Sequence, residues 1–224
     1  MTPLLPRQLL FGNPERAGGQ ISPDGAWLGF LAPLAGVMNV WIAPTSDPTA
    51  ARAITRDPTR GIHRFEFAYD GAHLLYLQDV GGDENFQLFA VDLLTGVERA
   101  LSPPGARALL AALRPEHPNE VVLSLNDRDP QYFDPVRVEL STGVSARLLE
   151  NDRFLGFLFD SRLRPVYALR QTEEGGHEIY ARAGGEGDWE LWTSIPQTDT
   201  YNTSVIDLSA DDRTLYLMDS RGRD

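Results

Sequence analysis

The sequence predicts an all-β chain built from β-propeller blades, and three observations predict it together. Turn anchors recur near positions 24, 70, 118, 163 and 212, at spacings of 46, 48, 45 and 49 residues. After each anchor come short runs rich in aromatic and β-branched residues, which suit pleated surfaces. Several of these runs are apolar on both faces, as strands sandwiched between neighbouring sheets are. A period in the forties with about four short strands per repeat is the signature of propeller blades. A sandwich of evenly spaced strands is the competing architecture.

Residues 1–17, with Pro3, Pro6, Gly12 and Pro14, read as a lead-in too broken for a regular element. Blade one is expected over about 18–57. Its Ser22-Pro23-Asp24-Gly25 is a turn: proline pre-sets φ, Asp bonds nearby backbone, and Gly takes the φ > 0 position. WLGFL and VMNVWIAP follow as strands, and ARAIT, Ala51–Thr55, as the outer strand. Blade two is expected over about 61–102, with Tyr69-Asp70-Gly71 at the turn and Thr95-Gly96 closing the last hairpin. Blade three spans about 109–151. Its Ala106–Leu113 stretch has helical propensity, but it holds the inner-strand position, and Pro135 suggests a bulge or break in the third strand. Blade four spans about 154–195, with WELWTSI outermost. Blade five, 203–224, supplies TSVIDLS and TLYLMDS. Four blades and the first half of a fifth read as part of a longer ring. An unpaired strand edge is expected at Tyr216–Asp219, with self-association of the chain as its consequence.

The composition is that of a globular protein, 42% hydrophobic and 23% charged, with a net charge of −12. All 20 basic residues are Arg. An acidic chain without basic clusters makes a poor nucleic-acid binder, because phosphate neutralisation supplies most of that affinity. No run is long enough to span a bilayer, so no membrane partner is expected. The sequence has no Cys and no secretory leader, which points to the cytoplasm. The four histidines, His63, His73, His117 and His177, show no metal-ligand spacing, so neither a metal nor a cofactor is expected.

Charge gathers between the second and third strands of the blades: DVGGDEN at 79–85, NDRDPQ at 126–131, RQTEEGG at 170–176 and DSRGRD at 219–224. In a propeller these corners share one face. Asp83, Glu84, Asn85, Arg128 and Asp129, with Glu173 and Glu174 beyond them, are therefore candidates for a rim that meets another domain or a charged peptide end. Solvated loop tips are the ordinary alternative. Gly81 and Gly82 favour a tight corner that would orient Asp83, Glu84 and Asn85. Only Glu66 and Asp207 are acidic on the inner strands, too few for the paired carboxylates of a propeller glycosidase.

LFGNPERAGGQISPDG (Leu10–Gly25), VMNVWIAP, RGIHRFEFAYDG (Arg60–Gly71), LQDVGGDENFQLFAVDLLTG (Leu77–Gly96) and LNDRDP (Leu125–Pro130) carry a specific resemblance. They resemble the N-terminal propeller of bacterial prolyl oligopeptidase-family serine peptidases of the dipeptidyl aminopeptidase and acylaminoacyl peptidase type. Family members often have Trp after DEN, where this chain has Phe86. The resemblance implies a seven- or eight-bladed ring over a C-terminal α/β-hydrolase domain that carries a Ser-Asp-His triad on short-peptide substrates. This sequence contains no G-x-S-x-G and no alternating strand–helix pattern to host one, so no catalytic residue is assigned to it. The expected role is non-catalytic: packing on the hydrolase domain and limiting substrate access. A stand-alone interaction propeller of the TolB-like kind is the alternative.

Overall fold

The computed structural model describes residues 5–7, 11–12 and 14–222. Residues 1–4, 8–10 and 13 of the expected lead-in fall outside them, as do the last two residues of the DSRGRD corner. Five antiparallel sheets follow one another along the chain. Sheet one holds β1 (Ala17–Ile21), β2 (Trp27–Leu34), β3 (Val37–Pro44) and β4 (Arg52–Ala53) in that order. Sheet two holds β5 (Phe65–Phe67), β6 (His73–Gln78), β7 (Gln87–Asp92) and β8 (Glu98–Ala100). Sheet three holds β9 (Ala108–Ala112), β10 (Glu120–Asp129), β11 (Tyr132–Glu139) and β12 (Ser145–Arg147). Sheet four holds β13 (Gly156–Phe159), β14 (Pro165–Gln171), β15 (His177–Ala181) and β16 (Glu190–Ile195). Sheet five has two described strands, β17 (Ser204–Leu208) and β18 (Leu215–Met218). These are the meandering sheets of propeller blades.

The turn between first and second strands is built alike in several blades. In blade one, Asp24 Oδ1 accepts from Ser22 Oγ at 2.5 Å and from the Ala26 N–H at 3.0 Å, while Trp27 N–H donates to Ser22 Oγ at 2.9 Å. Blade five repeats this with Ser209, Asp211 and Thr214. Asp70 and Asp160 take the same part in blades two and four, accepting from backbone N–H groups two to four residues on. The left-handed position is filled by Gly25 and Gly71, but by Leu163 in blade four and Asp212 in blade five.

The chain divides into two compact units, Met1–Asp83 with Phe89–Arg99, and Glu84–Leu88 with Ala100–Asp224. In the first, Leu31, Val40, Ile42, Phe65, Phe67 and Leu74 form a buried core. Gly29 permits it, since a Cβ there would lie 2.7 Å from the Phe65 ring and 2.9 Å from that of Phe67. In the second, Ala112, Val122, Phe159 and Leu163 form one cluster. Phe154 forms another, edge-on to Phe157, Tyr180 and Trp189.

Two local expectations change. The expected outer strand Ala51–Thr55 shortens to Arg52–Ala53, because Ile54 and Thr55 already turn inward, with both N–H groups on the Val40 carbonyl. Pro135 does not interrupt β11: Ser124 faces Pro135 in unbroken register with Leu125 facing Asp134. The Pro135 carbonyl accepts from the Leu148 N–H at 2.8 Å, so its missing donor faces the side where β12 has already ended at Arg147. The ladder to β10 loses nothing. The Ala108–Ala112 segment is a strand, its helical propensity overridden by pairing with β10.

Candidate functional site

The corner of blade two lies between β6 and β7. Asp79 is 5% exposed and is gripped by Arg60, Nε to Oδ1 at 3.3 Å and Nη2 to Oδ2 at 3.4 Å. Arg60 is itself placed by Asp57, whose Oδ1 accepts from the Thr59 and Arg60 N–H groups at 2.7 and 3.0 Å. Beyond Asp79 the chain turns tightly, with the Val80 N–H on Asp83 Oδ1 and the Asp83 N–H on the Val80 carbonyl, each at 3.3 Å. Gly81, Gly82 and Glu84 all have positive φ, at 67°, 88° and 59°. Gly82 is required twice over: a Cβ there would be strained and would sit 3.1 Å from Arg60 Nη1. Asp83 and Glu84 are exposed and Asn85 is half-buried. Asp83 closes a stretch of the first unit, whereas Glu84, Asn85, Arg128 and Asp129 belong to the second.

The blade-three corner differs from its expected loop. β10 continues through Asp129, with a bulge between Leu125 and Asp129, so only Pro130 and Gln131 turn. Asp129 shapes that turn by accepting from the Gln131 N–H at 2.9 Å. Arg128 faces Asp134, which is fully buried on β11, and bonds it bidentately at 2.7 and 3.0 Å. Arg147 also donates to Asp134, and it spans to Asp127 at 3.1 and 3.2 Å. The Asn151 N–H donates to Asp134 Oδ1 at 2.7 Å, and the Asn151 carbonyl accepts from Arg128 at 2.6 Å. Burial pushes the Asp134 carboxyl up, but Arg128, the Asn151 N–H and Arg147 outweigh it and hold the group below the usual carboxylate range. The hydrogen bond to Asp134 in turn holds Arg128 more firmly protonated.

This network has counterparts. On β3, buried Asn39 bonds the Asp57 N–H and carbonyl at 2.8 and 3.0 Å and accepts from Thr55 Oγ1 at 2.9 Å. On β7, Gln87 donates to the Ser102 carbonyl at 3.1 Å, and Ser102 Oγ accepts from the Leu88 N–H at 2.9 Å. Asn39, Gln87 and Asp134 stand 48 and 47 residues apart. Each uses the third strand of its sheet to tie down the segment that leaves the outer strand. Asp134 is the charged version of that strap, and the sequence reading missed it. Its signal is a carboxylate amid the apolar alternation of YFDPVRV.

In blade four, Glu173 and Glu174 are exposed at the tip of a turn closed by Thr172 N–H to the Gly176 carbonyl at 2.9 Å. Below them Glu178 accepts from Tyr180 at 2.9 Å and from Arg170 at 3.0 and 2.5 Å, and both hold its carboxyl below its usual range. Of the histidines, His73 bonds Asp70 at 2.5 Å and His117 lies 3.1 Å from Glu120. No group of three or more His, Asp or Glu with metal-binding geometry occurs among the described residues.

No family model matches the chain. It is 45% identical to dipeptidyl aminopeptidase BIII of Pseudoxanthomonas mexicana over 99% of its own length and 32% of that relative's. At 23% identity it also aligns with dipeptidyl peptidase family member 6 of Caenorhabditis elegans, again over 32% of that protein. The chain thus spans about a third of the length of the curated relatives it matches. Among solved structures, a prolyl endopeptidase matches 90% of this chain with 31% of its own at a TM-score of 0.60 and 14% identity, a likeness of fold. The β-propeller domain of the trilobed protease from Pyrococcus furiosus matches 85% of this chain with 59% of its own, at a TM-score of 0.52 and 16% identity. The chain is therefore related over its whole length to a dipeptidyl aminopeptidase, and in fold to the propeller domains of prolyl oligopeptidase-family peptidases.

Proposed function

We propose that this chain is the non-catalytic propeller part of a serine peptidase that hydrolyses short peptides. Its work is to pack on a hydrolase domain and to keep large substrates from the nucleophile. The observation that carries this reading is the 45% identity, over 99% of the chain, to about a third of a dipeptidyl aminopeptidase. The sequence supports it, offering propeller strands throughout and no nucleophile elbow. The cysteine-free composition supports work in the cytoplasm.

Within this reading the rim falls to two kinds of residue. Asp83, Glu84 and Asn85 sit on a corner that Gly81, Gly82 and the Arg60–Asp79 pair make rigid, which suits contact with substrate or with the hydrolase domain. Arg128 and Asp129 shape blade three first, and their rim role is secondary to that. The net charge of −12 favours a peptide's cationic amino terminus over its carboxylate end.

The test is an exchange. The chain replaces the corresponding third of dipeptidyl aminopeptidase BIII, and the hybrid is assayed on dipeptidyl chromogenic substrates and on a folded protein. Release of dipeptides with the folded protein left intact is expected. A folded hybrid that degrades the protein would sink the gating role. Stoichiometric labelling of the chain alone by a serine-directed phosphonate would sink the non-catalytic one.

A further inference from the structure

Most arginines of the second unit have a carboxylate partner: Arg128 and Arg147 share Asp134, Arg164 holds Asp160 and Arg170 holds Glu178. Arg182 has none among the described residues. Its guanidinium lies over the Trp189 ring, 5.3 Å from the centroid, and its Nε is buried with no hydrogen-bond partner. Its Nη groups are neither buried nor bonded. A guanidinium partly withdrawn from water and left without an anion favours an incoming carboxylate.

The local sequence puts it there. Residues 182–189, RAGGEGDW, connect β15 to β16, and Gly184, Gly185 and Gly187 take φ of 57°, 74° and 77°. A Cβ on residue 185 would lie 2.7 Å from Arg164 Cβ, so only glycine lets the loop fold down this closely. The loop delivers Trp189 against Phe154 and Phe157, with ring centroids 5.3 and 5.9 Å apart. Residues 150–154 form the opposite wall. Asn151, 1% exposed, fixes them by donating to the Phe133 and Phe154 carbonyls at 3.1 and 2.8 Å and accepting from the Phe154 N–H at 2.9 Å. Arg153 covers the Phe154 ring at 5.0 Å, and its ion pair with Asp152 is long, 3.9 Å, and exposed, hence weak. Between the walls lies a cavity of about 420 Å³, lined by Glu150, Asp152, Arg153, Arg182, Asp188 and Trp189 among others. Both walls belong to the second unit.

We propose that this cavity binds a small zwitterion with an apolar side chain, an amino acid or short peptide, whose carboxylate is held by Arg182. The lining sets the class. Two guanidinium groups favour a carboxylate, and the planar fork of Arg182 suits its two oxygens. Glu150, Asp152 and Asp188 outnumber the two arginines, so a plain anion is poorly matched and an ammonium on the same molecule is welcome. A plain cation is poorly matched too, because Arg182 already lies over the Trp189 ring. The indole gives the ligand's apolar part a surface to lie on. The volume falls in the range of small-molecule sites, about 300–1,000 Å³. Asn151 and the three glycines hold both walls in place before the ligand arrives, which lowers the ordering cost of binding. The inference does not rest on the peptidase reading, and the exchange hybrid succeeds or fails without touching it.

Titration calorimetry on the full 224-residue chain compares four probes. Phenylalanine and alanyl-phenylalanine are the zwitterions, phenylalaninamide lacks the carboxylate, and 3-phenylpropionate lacks the ammonium. The better zwitterion should bind with a Kd of about 1 mM or below, and each truncated probe about tenfold more weakly. Arg182→Met should weaken binding about tenfold, and Arg182→Lys by less, since it keeps the charge and loses the fork. Arg64→Met, on a guanidinium 80% exposed in the first unit, should change nothing. A second readout uses the unaltered chain, so it stands even where Arg182→Met does not fold. Of the four tryptophan indole N–H signals in an NMR spectrum, the one absent from Trp189→Phe should move on titration. The proposal is overturned by no heat and no indole shift with either zwitterion at about 10 mM. It is overturned equally by a truncated probe that binds as well as the zwitterions, by unchanged affinity in a folded Arg182→Met chain, or by movement of other tryptophans' signals alone.

Discussion

Arg128 holds both oxygens of Asp134, Nε to Oδ2 at 2.7 Å and Nη2 to Oδ1 at 3.0 Å, with the carboxylate wholly buried and the guanidinium about one-third exposed. Arg147 adds a second guanidinium on Oδ2. Removing the carboxylate charge leaves two guanidinium groups facing a buried amide. Breaking a fully buried pair costs about 3–5 kcal/mol, and the partial exposure of both arginines brings the expected cost of Asp134→Asn to about 2–3 kcal/mol. Arg128→Lys keeps the charge but loses the fork, and should destabilise by less. Urea melts of the two variants check the order. If Asp134→Asn is as stable as the unaltered chain, the network is not what ties blade three together.

The same carboxylate sets a pH dependence. Its folded-state pKa lies below its unfolded value of 3.8, so the stability it contributes is fully present above that value and is lost as pH falls through the folded one. Glu178, lowered by Tyr180 and Arg170, acts in the same direction from its ordinary 4.5. Thermal stability should therefore hold steady near neutrality and decline below about pH 4. Asp134→Asn should show a shallower decline than the unaltered chain. Equal slopes for the two would remove Asp134 from the account.

The sheets were legible because two simple periods, alternation along a strand and a turn anchor every 45–49 residues, are written in residue type. The strap at Asn39, Gln87 and Asp134 was not. It recurs at the same interval, but an amide, a longer amide and a carboxylate do one job, so nothing repeats in the letters. Arg128 was read as a loop charge because NDRDPQ is polar throughout. The strand runs through it because Asp134, two positions beyond the start of β11, gives that charge a buried partner. Tertiary pairing decided the matter, and a one-dimensional pattern does not contain it.

Gly29 tests the packing of the first unit. An alanine methyl there would lie 2.7 Å from a ring carbon of Phe65, which is 2% exposed and held edge-on to Phe67 with centroids 5.9 Å apart. A buried ring in a filled core moves only at the cost of strain, so Gly29→Ala should destabilise by about 1–3 kcal/mol. Phe65→Leu should relieve part of that strain. In a double-mutant cycle the pair should then cost less than the sum of the singles. Strict additivity would mean that the ring contact is not the reason for the glycine.

Leu163 poses a conflict between backbone and core. Its φ is +60°, a conformation that costs a side-chain-bearing residue about 1–2 kcal/mol, yet its side chain is fully buried with Ala112, Val122 and Phe159. Burial wins, because truncating a buried leucine costs about 2–5 kcal/mol. Two truncations separate the terms. Leu163→Ala loses the packing and keeps the strained backbone. Leu163→Gly loses slightly more packing but sheds the strain, since glycine takes positive φ freely. In ordinary strands and helices glycine is the less stable of the two by about 0.5–1 kcal/mol. Here the order should invert, with Leu163→Gly the more stable variant by about 1 kcal/mol and both below the unaltered chain. Denaturant midpoints measured side by side decide it. The usual order, alanine above glycine, would show that the turn relaxes out of the left-handed region once the leucine is gone.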